Sequence, residues 1–295
     1  MNSTAVVPAA RARDRTGAVP PLVRVRPAAF PHRGEWRQLW DLSRTLARHE
    51  LKQRYFGSVV GHLWALLRPL MLFGVMYFVF THIVKFGTAV PNYPIYLLTS
   101  LVVWGYFAET TATGVTCLVA HENLLRKIRF PRLMIPLSLA LTSAYQLVLN
   151  VGVVVAFMLL SGIGPRWTWL AAIPLIACFC LFTVGVTMGL ASVYVRFRDT
   201  NPIWEVFSQL LFWASPIIYV ATFPPPSVRE LLAASPVSAT LTQLRVWLID
   251  PAAPTAADVL GGKIYLLIPV AIAISCMVLG VLVFGYMAPR VAEEL

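Results

Sequence analysis

This sequence predicts an all-α integral membrane fold, and three observations predict it. Six long apolar runs cover residues 69–86, 95–119, 133–161, 167–195, 203–223 and 264–287. A bilayer core is about 30 Å thick, and a helix takes around 20 apolar residues to cross it, so each run is a candidate span. The chain is 58% hydrophobic with a mean hydropathy of +0.71, outside the range of an ordinary soluble domain. Its basic residues are also unevenly placed. With the N-terminus inside, 19 of the 24 Lys and Arg fall on the inner side, which predicts both termini in the cytoplasm. The net charge of +11 then faces anionic lipid head groups, and no nucleic acid partner is expected.

The elements follow in order. Residues 1–34 are rich in Arg, Pro and Ala, with no apolar core ahead of a cleavage site. They read as a disordered basic arm, and no signal peptide is expected. Residues 35–56 read as an amphipathic helix. Trp36, Leu39, Trp40, Leu46, Ala47, Leu51 and Tyr55 share one stripe at helical spacing, and Arg37, Arg44, Arg48 and Lys52 share another. The pattern suits a helix lying in the membrane interface, and a helix packed on another protein face would carry the same pattern. The stretch from Gly57 to Gly61 breaks the period, and Gly61 can adopt backbone conformations closed to other residues. Residues 57–289 hold the six spans and residues 290–295 a cytoplasmic tail. The first span starts near Leu66, with Pro69 expected in its first turn and Arg68 able to snorkel to the head groups.

The second run turns polar in its later half, through Glu109, Thr110, Thr111, Thr113 and Gly114. A carboxylate at the bilayer centre costs on the order of 2.5–3.5 kcal/mol. Glu109 must therefore face protein, water or a substrate path. A pathway role and a buried hydrogen bond to a neighbouring helix both meet that requirement. After the fifth run, Pro224, Pro225 and Pro226 end the helix. Residues 231–234 and 239–248 are too short to cross and are expected as outer interfacial or re-entrant helices.

Absent motifs narrow the function. No G-x-x-x-x-G-K-[ST] phosphate loop occurs, so any ATP-driven step needs an ATPase on another chain. No HExxH occurs, and the five His are scattered, so neither a metal site nor a catalytic set is expected. The four Cys lie in or at the ends of apolar runs and read as packing residues. The inner segment Asn123-Leu124-Leu125-Arg126-Lys127-Ile128-Arg129-Phe130-Pro131-Arg132 is short, basic and amphipathic. It serves either as a positive-inside anchor or as a docking point for a cytoplasmic partner.

Four segments resemble one family in order and spacing. Tyr55 to Trp64 resembles the stretch leading into the first span of ABC-2 type permeases that export polysaccharides such as O-antigen, teichoic acid and galactan. Residues 123–136 resemble that family's first intracellular loop. Arg198-Asp199, followed by Ser215-Pro216-Ile217-Ile218-Tyr219, resembles its fifth-span signature, and Phe284-Gly285-Tyr286 through Glu294 its tail. Val60 stands where the family often has Leu, and Ser235-Pro236 where it often has Asn-Pro. The resemblance implies a homodimer of six-span subunits in a bacterial cytoplasmic membrane. It also implies two copies of a separate ATPase that bind ATP and Mg, with no cofactor in this chain. The implied cargo is a glycan on a polyprenyl pyrophosphate.

The same resemblance makes residues 35–56 a gate helix, with Trp36, Trp40, Arg44, Arg48 and Tyr55 as its face residues. It sets Ser58 and Gly61 near the lipid pyrophosphate; Arg54 and Arg68 are candidate phosphate partners there because a guanidinium meets phosphate through two parallel hydrogen bonds, and a lipid head-group contact would use them equally. It assigns Asn123, Arg126, Lys127, Arg129, Phe130 and Pro131 to ATPase coupling. Sugar rings stack on aromatic faces and exchange hydrogen bonds with hydroxyls. Tyr77, Tyr106, Phe107, Glu109, Thr110, Thr113, Phe212, Trp213 and Tyr219 are the candidate path residues on that ground. Two rivals remain: an ABC-2 permease for drugs or small lipids, and a membrane enzyme acting on polyprenyl-phosphate glycans through Asp199 and Glu205.

Overall fold

The computed structural model describes residues 36–55, 61–121 and 132–287, and these contain helices and turns but no strand. Helix α1 is Trp36–Tyr55 and α2 is Gly61–Phe78, which continues through a π turn at Val79–Ile83. Helix α3 is Tyr93–Ala120, α4 Met134–Leu160, α5 Thr168–Arg196 and α6 Thr200–Ala214. Short helices α7, Pro226–Ala233, and α8, Pro236–Leu244, follow, the latter running into a π turn at Arg245–Ile249. A one-turn α9, Ala256–Val259, precedes α10, Leu267–Met287.

Four stretches are long and apolar enough to cross a membrane: Leu66–Ile83, Met134–Leu160, Thr168–Arg196 and Lys263–Met287. The other two apolar runs differ from them for physical reasons. Helix α3 is long enough at 28 residues but diluted by polar side chains. It lies at the centre of the bundle, against α2, α4, α5 and α6, and most of its residues are buried. Its threonines spend their donors locally. Thr99 donates to the Ile95 carbonyl at 2.7 Å, Thr110 to Tyr106 at 2.6 Å and Thr111 to Phe107 at 2.8 Å. A hydroxyl bonded to its own helix needs no partner from a neighbour, which lets a polar helix sit inside an apolar bundle.

The fifth run, expected as a span over 203–223, is only partly helical. Helix α6 has 15 residues, about 22 Å of rise, against a bilayer core of about 30 Å. It stops because Pro216 excludes the helical region for Ser215, whose φ of −88° and ψ of 147° are extended. The backbone beyond is irregular, and Ser215, Ile217 and Ile218 are buried. Irregular backbone at membrane depth persists only where protein supplies its hydrogen bonds. Here α3 supplies them. The Tyr93 hydroxyl donates to the Ile218 carbonyl at 2.9 Å, and the Tyr96 hydroxyl is aimed at the carbonyls of Tyr219, at 2.7 Å, and Pro216.

The first span also begins differently from expectation. Helix α2 already starts at Gly61, so Pro69 lies in its interior and not in its first turn. The missing N–H of Pro69 removes one hydrogen bond from that helix.

The tightest helix pair is α5 with α10, and glycine makes it possible. Gly185 and Gly189 lie four residues apart on one face of α5, and the backbone of Gly280 on α10 packs against them. A Cβ at Gly280 would overlap the carbonyl oxygen of Gly185. Gly114 of α3 meets Thr187 of α5 in the same close way.

Candidate functional site

Helix α1 runs along α4 and buries a narrow stripe made of Leu39, Ser43 and Ala47. Leu39 closes a small apolar cluster with Cys117, Leu118, Met134, Ile135 and Phe284. The charged face, with Arg37, Arg44, Arg48 and Lys52, is exposed. Trp40 is exposed rather than buried with Leu39, and the Arg44 guanidinium lies 5.9 Å from its ring, within reach of a cation–π contact. One face of α1 therefore does pack on protein, while Trp40 and the described basic residues are exposed. The backbones of Trp36, Arg54 and Tyr55 belong to α1, Gly61 is the first residue of α2, and Arg68 is exposed on α2. Ser58 and the candidate coupling residues Asn123, Arg126, Lys127, Arg129, Phe130 and Pro131 lie outside the described residues.

The candidate path residues separate into two groups. Tyr106, Phe107 and Thr110 are buried within the subunit. Phe107 stacks on Phe182 of α5, ring centroids 5.9 Å apart and planes 5° from parallel. These are packing positions that offer no surface to a passing ligand. Thr113, half-buried, donates to the Glu109 carbonyl at 2.7 Å, and the Glu109 side chain is half-buried and has an interaction partner.

The second group gathers where the Phe80–Phe86 stretch after α2 meets the segment after α6. Phe212, Trp213 and Tyr219 line a cavity of about 190 Å³, closed by Phe80, Phe86 and Phe223. Its walls are almost wholly apolar. Phe86 and Phe223 meet edge to face at 4.9 Å, and Phe212 and Trp213 at 5.5 Å. Trp213 is 56% exposed, so this group opens to the outside of the subunit. Tyr77 stands nearby on α2, stacked on Phe73 at 5.8 Å.

Sequence reasoning passed over the residues that shape this region. Tyr93 and Tyr96 anchor the irregular segment, and the Arg245 guanidinium lies 5.2 Å from the Tyr96 ring. Thr168 at the start of α5 donates to the Trp247 carbonyl at 2.6 Å, fastening the turn after α8 to the bundle. Arg229 holds the turn into α7 through the Thr222 carbonyl at 2.8 Å and that of Pro224 at 3.1 Å. The legible signal was a pair of tyrosines at the start of an apolar run. The carbonyls they serve lie more than a hundred residues away.

Comparison with known proteins decides the family. The family described as ABC-2 type transporter matches residues 42–249, from within α1 to the end of the Arg245–Ile249 turn. The chain belongs to the ABC-2 type transporter family. Its apolar helices and that membership make it a multi-pass membrane protein of the transport-subunit kind. Two ABC-2 relatives carry the same printed name, O-antigen export system permease protein RfbA. The one from Klebsiella pneumoniae is 29% identical over 208 residues, covering 70% of this chain and 80% of the relative. The one from Myxococcus xanthus is 30% identical over 215 residues, covering 72% of this chain and 82% of the relative. The part of this ABC-2 chain that holds the later two-thirds of α1, the aromatic cavity and the short helices α7 and α8 is thus the part shared with the family.

Proposed function

We propose that this ABC-2 chain is the permease subunit of an ATP-driven exporter that moves a polyprenyl-pyrophosphate-linked polysaccharide of the O-antigen kind out of the cytoplasm. The observation that carries the proposal is continuous similarity to two O-antigen export permeases over about four-fifths of their length. The structural organisation agrees with this role. An amphipathic α1 with an exposed basic and aromatic face sits on the inner ends of the spans, where a lipid-borne anion would arrive. Arginine on that face suits a pyrophosphate, since a guanidinium meets phosphate oxygens through two parallel hydrogen bonds.

In this reading, α1 acts as a gate at the inner face, with Arg54, Ser58, Gly61 and Arg68 near the pyrophosphate. Two copies of the chain form the path, and two copies of a separate ATPase bind ATP and Mg. Residues 123–131 couple the ATPase to the spans. Six passes place both termini in the cytoplasm of a bacterial inner membrane, with α6 and the buried segment after it forming the fifth pass together. The apolar residues Ile203, Val206, Phe207 and Leu210 on α6 are exposed in the single chain and suit a second copy. Tyr77, Phe212, Trp213 and Tyr219 offer the aromatic surface along which sugar rings slide. The permease itself makes and breaks no bond.

The test is depletion of this protein in its host, followed by extraction of polyprenyl-linked glycans from the inner leaflet. Accumulation of a long lipid-linked polymer, with its loss from the cell surface, is the expected result. No accumulation, with new sensitivity to small hydrophobic compounds, would replace this reading with that of a drug or small-lipid exporter. Accumulation of a short unfinished precursor would point to an enzyme on polyprenyl-phosphate glycans.

A further inference from the structure

We propose that Glu50 and His121 form a tie that fixes the C-terminal half of α1 to the inner ends of α3 and α4, so that the three move as one body. Helix α1 carries two acids. Asp41 faces solvent, whereas Glu50 turns inward with only 15% of its side chain exposed. One of its carboxylate oxygens, Oε2, accepts a hydrogen bond from the Thr142 hydroxyl of α4 at 3.1 Å. That hydroxyl also reaches its own helix, at the Ser138 carbonyl, 3.0 Å away. The other oxygen, Oε1, lies 3.6 Å from Nε2 of His121, the residue that ends α3.

The His121 ring is itself held. Its Nδ1 lies 2.9 Å from the Cys117 carbonyl. A carbonyl only accepts, which puts a hydrogen on Nδ1; Nε2 then meets the carboxylate as the second N–H of an imidazolium, so the tie is an ion pair. Three elements distant in sequence thus converge on one carboxylate.

The tie adds to a limited apolar anchor: among the described side chains of α1, Leu39 and Ala47 are the buried apolar ones, and Leu46 packs partly buried against the same cluster. Glu50 fixes the end that leads toward α2. On the export reading, on which the functional half of this inference rests, any displacement of the inner end of α3 is passed to the gate helix through Glu50. Glu50 and His121 are positioning residues: they set where α1 sits and touch no cargo.

A native cysteine reports the tie without any cargo. Cys117 is 4% exposed in the cluster that Leu39 of α1 closes. The full chain is reconstituted in lipid nanodiscs with Cys178, Cys180 and Cys276 replaced by Ser, and the rate of maleimide labelling of Cys117 is measured. Glu50→Ala and His121→Ala are each expected to raise the rate about five- to tenfold, the scale of one ordinary net hydrogen bond. The double variant should label no faster than Glu50→Ala alone, because that variant already loses both the Thr142 and the His121 contacts. Asp41→Ala should leave the rate at the parent's.

Should either alanine variant fail to fold, the exchanged pair Glu50→His with His121→Glu decides instead, and it should label at the parent's rate. Additive single effects, an unchanged rate, or an exchanged pair that labels fast would each overturn the tie. The functional half is read separately, as surface glycan in a depleted host complemented with each folded variant. Full export by a variant whose Cys117 labels fast would overturn the role of the tie in transport. If depletion itself causes no glycan to accumulate, the export reading fails and the labelling result still judges the tie.

Discussion

Replacing Gly280 by Ala tests the α5–α10 packing at its tightest point. A Cβ there would overlap the Gly185 carbonyl oxygen and lie 2.7 Å from its carbon and 3.2 Å from the Gly185 Cα, where ordinary contact begins at 3.4 Å. All three obstacles are backbone atoms, so no side chain can rotate away. Relief requires the two helices to separate. Opening a seam by ~0.5–1 Å forfeits a quarter to a half of each contact's dispersion energy. Overpacking of this kind typically costs about 1–3 kcal/mol. The higher helix propensity of Ala offsets at most about 1 kcal/mol of that.

The control is Gly152→Ala on α4, where nothing lies within 4 Å of the added carbon. Thermal unfolding of both variants in detergent, followed by fluorescence-detected size exclusion, gives the comparison. Gly280→Ala should unfold at clearly lower temperature than the parent, and Gly152→Ala at the same temperature or slightly higher. Equal behaviour of the two variants would refute the seam.

Four further outcomes are expected. Tyr96→Phe withdraws the donor aimed at the Pro216 and Tyr219 carbonyls and should cost about 1–3 kcal/mol; unfolding midpoints measure it, with faster proteolysis after α6 as the local sign. Thr110→Val should change stability by no more than about 1 kcal/mol and leave surface glycan at the parental level, because that hydroxyl bonds only its own helix. Loss of export at unchanged stability would return Thr110 to the path. The Asp258 carboxyl is held below the usual range by hydrogen bonds from the Thr255 hydroxyl and backbone N–H in the capping box of α9. A lowered folded-state value means that this stabilisation is complete above the ordinary Asp range and is lost as pH falls through the depressed value. Hydrogen exchange at 255–259 should therefore rise in acid, and Thr255→Ala should weaken that dependence, since the backbone N–H of residue 255 still donates to the carboxylate. Replacing Arg129 and Phe130 together should reduce co-purification of the ATPase subunit while membrane insertion persists; unchanged co-purification would refute the coupling assignment.

Much of the fold was legible because membrane helices announce themselves by composition and length. Four of the six apolar runs are helices long and apolar enough to cross, α1 appears where the helical stripe placed it, and the short outer helices follow the triple proline. The fifth run was misread in extent for a definite reason. Apolar composition is the same for a helix facing lipid and for irregular backbone buried in protein. Only the Ser215-Pro216 step marked the change, and hydropathy does not weigh it. In α3 the structure adds what polarity alone does not give. Polar side chains suggested a lining for a path, while the hydroxyl of Thr110 turned out to be satisfied by its own helix and its side chain buried.

The sequence by itself determined the class of the protein: how many apolar runs there are, which ends carry positive charge, and where an amphipathic helix precedes the first span. These are one-dimensional quantities, set by bilayer thickness, residue polarity and helical period. Only the tertiary structure decided which groups meet. Gly185 against Gly280, Tyr96 under the carbonyls after α6, and Glu50 between Thr142 and His121 pair residues 71 to 123 positions apart along the chain. Inside a membrane protein every buried polar group must find a partner, and that requirement selects the partners in space, where sequence spacing carries no record of them.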